Sequence, residues 1–217
     1  MPPVAAFLVP GSPLHFLRRD ADPYAALVAA HATAAAALAA ARPEVLVVYS
    51  TQWIAVLDQL WQLRAEVTGL HVDENWYEYG DLPFDLRIDT ALTRAVIDAT
   101  PAIGVRSKGV DYDAFPVDTG SIVATGFLDP QGRLPLVLAS NNVYHDWART
   151  AQLGALVAAE AEALGRRYAV VGVGGLSGAA FRHEIDLADD RLHGEAEDRQ
   201  NREFLETLAA GDATRLA

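Results

Sequence analysis

Residues 44–53 read EVLVVYSTQW, and this stretch indicates the fold class most clearly. The run from Glu44 to Ser50 is apolar at its five central positions and rich in β-branched residues, which predicts a strand buried on both faces, as strands of parallel sheets usually are. The polar residues 50–53 that follow predict a loop at the carboxyl end of that strand.

Three more buried strands and several helices are predicted on either side of this stretch. The other strands are Val4–Val9, Leu134–Ala139 and Tyr168–Val173. The helices are Asp22–Ala41 with Asp22 as its N-cap, Asp89–Ala99, Trp147–Leu164 and Glu195–Ala209. Weaker patterns predict strands at Leu60–Val67 and Gly104–Lys108 and a loop at Asp111–Gly120. The alternation predicts a single domain over residues 1–217, a three-layer α/β/α sandwich around a mixed, largely parallel sheet.

The composition excludes several classes of function. The 217 residues carry a net charge of −12, which disfavours binding to nucleic acid and to anionic membrane surfaces. The chain has no cysteine, so disulfides, thiolate nucleophiles, zinc–thiolate sites and iron–sulfur clusters are excluded. The N-terminus lacks the basic region of a signal peptide, and we expect a cytoplasmic globular protein.

Common catalytic and nucleotide-binding motifs are not met. Residues 172–177 (GVGGLS) have Ser177 where a dinucleotide-binding GxGxxG motif has its third glycine, and no later acidic residue fits. The surroundings of Ser177 do not form a GxSxG elbow either. None of the six histidines pairs at HxH or HExxH spacing, and we interpret the densest cluster, His183–Asp186, as a solvated patch.

The strand-end segments resemble one family, in order and along essentially the whole chain. The segments that carry the resemblance are FLVPGSP, VLVVYSTQW, VDENWYEYGDLPFD, YDAFPVDTG, LASNNVYH and VVGVGGLSG. They are similar to those of class III extradiol (LigB-type) ring-cleavage dioxygenases, and most similar to the non-catalytic α-type subunits of the members that cleave 2-aminophenol-like rings.

The resemblance implies an iron(II) site that this chain has lost. Catalytic members hold iron with two histidines and a glutamate, and use a further histidine as acid and base. The matching positions here are Gly11, Gln52 and, for the acid–base histidine, Gly178. Glycine donates nothing to a metal, a neutral amide is a weak ligand, and Gly178 cannot move a proton. The C-terminal segment that supplies the glutamate has no convincing counterpart.

We therefore expect no cofactor in this chain and iron(II) in a catalytic β-type partner, within a hetero-oligomer acting on a 2-aminophenol- or catechol-like ring. The vestigial pocket would comprise residues of the strand-end loops: Ser12, Gln52, Trp53, Asp118, Asn141 and Ser177. The aromatic residues of segment 71–84 are predicted either as the partner interface or as a local mini-core: Trp76, Tyr77, Tyr79 and Phe84.

Two alternatives stay open. The chain could be a stand-alone enzyme that has rebuilt a metal site from other residues, namely His15, Gln52, Asp118, His145 and His183. It could also be a binding module that keeps an aromatic small molecule in the old pocket without turnover.

Overall fold

A computed structural model describes residues 1–73, 76–176 and 195–211 of the protein. The chain divides into two compact units, residues 1–174 and residues 175–217. The first unit carries the eight described strands, and the second carries one described helix. The single-domain organisation stays a prediction.

The strands of the first unit are numbered in chain order. They are β1 (Ala5–Val9), β2 (Val45–Ala55), β3 (Gln59–Gln62), β4 (Glu66–His71), β5 (Leu82–Arg87), β6 (Ser107–Val110), β7 (Leu136–Asn142) and β8 (Tyr168–Val173). Six of them form one sheet in the order β1-β8-β2-β7-β3-β6. The neighbouring strands β1, β8, β2 and β7 run parallel to one another, whereas β3 is antiparallel to β7. The sheet is thus mixed and largely parallel, and β4 and β5 form a separate antiparallel hairpin.

The α-helices are α1 (Leu14–Leu17), α2 (Ala25–Ala41), α3 (Thr90–Ala99), α4 (Thr119–Leu128), α5 (Trp147–Ala163) and, in the second unit, α6 (Glu195–Ala209). Two separate apolar cores lie against the sheet. One includes Leu38 of α2 and Val123 of α4, and the other includes Val96 of α3 and Val157 of α5. Helices therefore cover both faces of the sheet, which confirms the predicted three-layer α/β/α sandwich.

Most elements match the sequence prediction, and the differences have physical causes. Strand β2 continues past Ser50 to Ala55 through an irregularity in its pairing with β7. The predicted strand Leu60–Val67 is in fact two strands, β3 and β4, and the predicted strand Gly104–Lys108 lies further along, as β6. Asp22 does not cap α2, because a 3-10 helix (Asp22–Tyr24) precedes that helix.

Helix α4 was missed altogether. Its sequence, TGSIVATGFL, is rich in glycine and β-branched residues that have low helix propensity. Eight of its ten residues are nevertheless buried, so tertiary packing stabilises the helix.

The residues Asp22–Ala41 form the one helical stretch, within the described ranges, that is long and apolar enough to cross a membrane by length and composition. The core helix of a globular protein passes the same test. Here His31 and Leu38 of this stretch are buried, and Leu38 belongs to the core shared with α4.

Candidate functional site

A bulge in β2 shapes the site at the carboxyl edge of the sheet. Ser50 pairs with Ser140 of β7, but the next pair joins Ile54 to Asn141. Residues 51–53 therefore lie outside the regular register, and bulges of this kind redirect side chains near functional sites. The side-chain amide of Gln52 reaches the turn after β1, where its Nε2 donates a hydrogen bond to the Gly11 carbonyl at 3.1 Å.

The space beside Gly11 is filled by this amide and its neighbours. A Cβ atom at Gly11 would lie 2.8 Å from Gln52 Nε2, 2.8 Å from Val173 Cγ1 and 2.9 Å from the Cα of Gly120. A Cβ at Gly120 would in turn meet Val173 Cγ1 at 2.8 Å and Gln52 Oε1 at 3.1 Å. Two glycines are thus packed around one glutamine, and the packing leaves no room for even a methyl group at position 11.

Asp118 is held in a structural arrangement next to this cluster. Its Oδ2 accepts hydrogen bonds from the buried Ser50 hydroxyl at 2.6 Å and from the Ser121 backbone N–H at 2.9 Å. The second bond makes Asp118 the N-cap of α4. The predicted pocket residue Asp118 therefore anchors α4 to β2.

The other predicted pocket residues lie along the same edge with neutral partners. Trp53 packs against Phe115 with ring centroids 5.7 Å apart, and Asn141 Oδ1 accepts a 2.8 Å hydrogen bond from the Tyr49 hydroxyl. Burial raises the pKa of Tyr49, which keeps the phenol protonated at neutral pH. Ser12 is exposed in the turn after β1. Ser177, Gly178 and His183 lie outside the described residues.

The structure places His15 in a buried ring cluster. His15 Nε2 and His31 Nε2 are 3.1 Å apart, and both rings stack on Phe127. Burial, together with the neighbouring His31, lowers the pKa of His15 to about 4, and burial also lowers the pKa of His31. Both rings are therefore neutral at pH 7 and act as packing groups that share a hydrogen bond.

His145 lies on the loop between β7 and α5. Its Nδ1 is buried and has no hydrogen-bond partner among the described residues. Burial is the main cause that lowers its pKa, with a smaller contribution from Arg149. Across residues 1–73, 76–176 and 195–211, no group of three or more His, Asp or Glu side chains could hold a metal ion.

One functional candidate was not singled out from the sequence. His71, at the end of β4, bonds through Nδ1 to the Val117 carbonyl at 3.0 Å and through Nε2 to the Thr119 hydroxyl at 3.2 Å. Because a carbonyl can only accept, Nδ1 donates and Nε2 accepts from Thr119. His71 thereby attaches the β4–β5 hairpin to the segment that carries Asp118 and Gly120. Its position at the start of the run HVDENWYE, part of the segments that carry the family resemblance, was the available signal.

The four aromatic residues predicted as an interface differ in exposure. Phe84 packs against the core beneath α4, and Trp76 stacks on His71 at 6.2 Å. Tyr79 lies under the Arg18 guanidinium at 5.0 Å, whereas Tyr77 is 69% exposed. Phe84 and Trp76 thus make packing contacts within the chain, and Tyr77 is the most exposed of the four; the partner interface stays a prediction.

A cavity of about 750 Å³ lies between the hairpin, α1 and α4. Its apolar wall includes Phe16, Phe84 and Ile122, and Arg87 and Asp129 stand at its rim. None of the predicted pocket residues within the described ranges lines it. It is therefore separate from the strand-end site.

Fold and site together define the class of protein. This is a three-layer α/β protein whose site lies at the carboxyl ends of parallel strands, the position where open α/β sheets bind their ligands. The chain belongs to the LigB family: the family model described as "Catalytic LigB subunit of aromatic ring-opening dioxygenase" matches residues 8–217.

One relative supports this family assignment, and one solved structure supports the fold. The chain is 45% identical over 214 residues to the 2-aminophenol 1,6-dioxygenase alpha subunit of a Pseudomonas species, covering 98% of this chain and 79% of that one. Its fold is similar to the crystal structure of the uncharacterized protein JW3007 from Escherichia coli K12, with a TM-score of 0.51 and 16% identity. That match covers 76% of this chain and 57% of the solved chain, and it supports the fold alone.

Dioxygenases of the LigB family generally depend on iron, and the described residues do not fit such a centre. The facial arrangement of two histidines and a carboxylate is the usual donor set for non-haem iron(II). Gly11 has no side-chain donor, and Gln52 offers a metal only a neutral amide oxygen, a weak ligand, while its Nε2 donates to the Gly11 carbonyl. Asp118 already caps α4 and accepts from Ser50.

Proposed function

We propose that this chain is the non-catalytic subunit of a dioxygenase complex that cleaves a 2-aminophenol- or catechol-like ring. Iron(II) would be held by a catalytic β-type partner of the same family. The observation that carries the proposal is the packing of the Gln52 amide between Gly11, Gly120 and Val173, at the strand ends where the family places its metal.

The chemistry of the site supports this proposal. Ring cleavage needs a metal to bind the ring hydroxyl and oxygen, and a base to move protons. The groups at the described edge are hydroxyls, amides and one carboxylate, and each has a local partner: Tyr49 donates to Asn141, Ser50 donates to Asp118, and Gln52 donates to the Gly11 carbonyl. The two described histidines proposed as replacement ligands, His15 and His145, do not converge with other acidic or histidine side chains into a metal-sized group.

The similarity to a protein named as an alpha subunit supports a hetero-oligomer. A subunit that has lost its metal site keeps its fold only if the fold serves another purpose, because a fold does not carry its function once the site is gone. Stabilising a catalytic chain by association is such a purpose, since any partner that binds the folded state adds to its stability.

Oxygen uptake with 2-aminophenol and with catechol tests the proposal. Three samples are compared in the presence of iron(II): this chain alone, the LigB-family chain of the same organism that carries both ligand histidines and the glutamate, and an equimolar mixture. We expect the isolated chain to run at less than about 1% of the mixture's rate, because each missing acid–base or metal function accounts for roughly 100-fold or more.

Each other outcome identifies a different function. Turnover by the isolated chain, lost on changing His15 or His145, would show that a metal site had been rebuilt. Thermal stabilisation of the isolated chain by 2-aminophenol, with no complex and no product, would show a binding module.

A further inference from the structure

Helix α1, which follows the turn after β1, is held in place by two of its side chains. It has only four residues, and a helix of that length is not stable by itself in water. Phe16 packs its ring over Gly126 of α4, where an added Cβ atom would lie 2.8 Å from the ring. His15 is 2% exposed and contacts His31 of α2 and Phe127 of α4. The position of α1 therefore depends on these tertiary contacts.

The contact between the two histidines suits the neutral rings only. The rings are nearly coplanar, with an interplanar angle of 9°, and one Nε2 donates to the other across 3.1 Å. A first added proton would put a charge in this buried site, and a second would oppose two N–H donors. Nδ1 of His31 is also buried and has no hydrogen-bond partner among the described residues. An imidazolium at that position would therefore bury an unpaired N–H group.

No described charged group offsets a charge on either ring. Apart from the two histidines, α1, α2, α4 and β1 contain no titratable or charged residue. Tyr24, which precedes α2, interacts with Tyr79 of the hairpin. The charged residues that flank these elements are exposed or already bonded: Arg18, Arg19, Asp20, Asp22, Arg42, Asp118 and Asp129. Opening of the contact to water is thus the available way to accommodate a proton.

We propose that the His15–His31 pair is an acid-sensitive latch: its protonation releases α1 from α2 and α4 and loosens the turn that closes the strand-end site. The Pro13 carbonyl of this turn accepts hydrogen bonds from the N–H groups of Phe16 and Leu17 at the start of α1. Gly11 lies in the same turn and accepts from the Gln52 amide. Movement of α1 is therefore transmitted to the contact between Gly11 and Gln52.

The direction of the pH response follows from the burial of the rings. Burial, together with the neighbouring His31, lowers the pKa of His15 from 6.5 to about 4. The open form, with its rings in water, binds a proton more readily than the closed form. Between pH 7 and pH 5 the equilibrium should therefore shift toward the open form by about 20-fold through His15 alone. Protonation of His31 acts in the same direction.

Hydrogen exchange of the isolated chain at pH 7 and pH 5, followed by NMR and corrected for the intrinsic exchange rate, tests the latch. The reporters are the backbone amides of Phe16, Leu17 and Arg18, which α1 protects, and the side-chain amide of Gln52. Amides of α5 report on global unfolding. We expect the α1 amides to be less protected than those of α5 at both pH values. Their protection and that of Gln52 should fall about 10-fold or more from pH 7 to pH 5.

Two variants assign the effect to the pair. In a double His15→Leu, His31→Leu variant, the protection of α1 should be the same at both pH values. If that variant does not fold, His15→Gln replaces it, and its fall in protection should be smaller than that of the wild type because one titrating ring is gone. His145→Gln is the matched control, since burial lowers the pKa of His145 too, and it should leave the wild-type response unchanged.

The outcomes that would overturn the latch are specific. One is α1 protection in the wild type that does not change with pH. Another is α1 exchange as slow as that of α5, since α1 would then open only by global unfolding. A fall in α1 protection while Gln52 stays protected would contradict the link to the strand-end site. A wild-type response in the histidine-pair variant, or its loss in His145→Gln, would assign the effect to other groups.

Discussion

We expect the Gly11→Ala substitution to lower the free energy of unfolding by about 1–3 kcal/mol, the usual cost of overpacking a filled site. The added methyl group would lie under 3.0 Å from Val173 Cγ1, from the Gly120 Cα and from Gln52 Nε2. The first two neighbours cannot move easily, because one is a buried β-branched side chain and the other is backbone. Urea unfolding measures the change directly.

Two further variants make this prediction specific. Gly154→Ala introduces the same methyl group in α5, where nothing lies within 4 Å, and it should stabilise the chain by about 0.5–1 kcal/mol through helix propensity. Combining Gly11→Ala with Gln52→Ala should not restore stability, since Val173 and Gly120 still clash. If Gly11→Ala proved as stable as the wild type, the site would be looser than its packing indicates, and a histidine ligand could be accommodated there.

As the pH falls from 6.5 to 4, protonation of the His15–His31 pair will lower the free energy of unfolding by about 3 kcal/mol. The pKa of His15 is about 4 in the folded chain and 6.5 in the unfolded chain, so over this range the unfolded state binds the proton more readily. The contribution is fully present above pH 6.5 and is lost as the pH falls toward 4. His31 acts in the same direction, because burial lowers its pKa too.

The geometry gives the reason for the loss. In the neutral pair, one Nε2–H donates to the other Nε2 across 3.1 Å. A second proton would place two N–H donors face to face across 3.1 Å. Urea unfolding at several pH values, for the wild type and for a double His15→Leu, His31→Leu variant, isolates this effect. The double variant should lose this part of the pH dependence and keep only what other groups, such as His145, contribute; parallel curves for the two proteins would contradict the assignment.

The sequence was sufficient to predict the four parallel strands β1, β8, β2 and β7 of the sheet, because they are continuous apolar runs between turn residues. Val4–Val9, Leu134–Ala139 and Tyr168–Val173 all lie on or within two or three residues of observed strands. Helices with a clear N-cap, such as α3 with Asp89 as its N-cap, could be predicted equally well. The prediction failed where tertiary contacts override local preference, as in α4, which is made from residues that disfavour helices.

The site was only partly predictable, for a related reason. The glycine and glutamine at positions 11 and 52 are visible in the sequence, but their mutual packing depends on the β2 bulge, which no local pattern indicates. The partnership of His15 with His31 was also hidden, because sixteen residues separate them and the contact is made between two helices.

Iron content after loading is the most direct measurement of the central claim, that the strand-end site of this chain does not hold a metal. The purified chain and the LigB-family chain with intact ligands are incubated anaerobically with excess iron(II), desalted and analysed for metal. We expect stoichiometric iron in the chain with intact ligands, and no iron above the buffer blank in the present chain. Stoichiometric iron in this chain, lost in a Gln52→Ala variant, would contradict it.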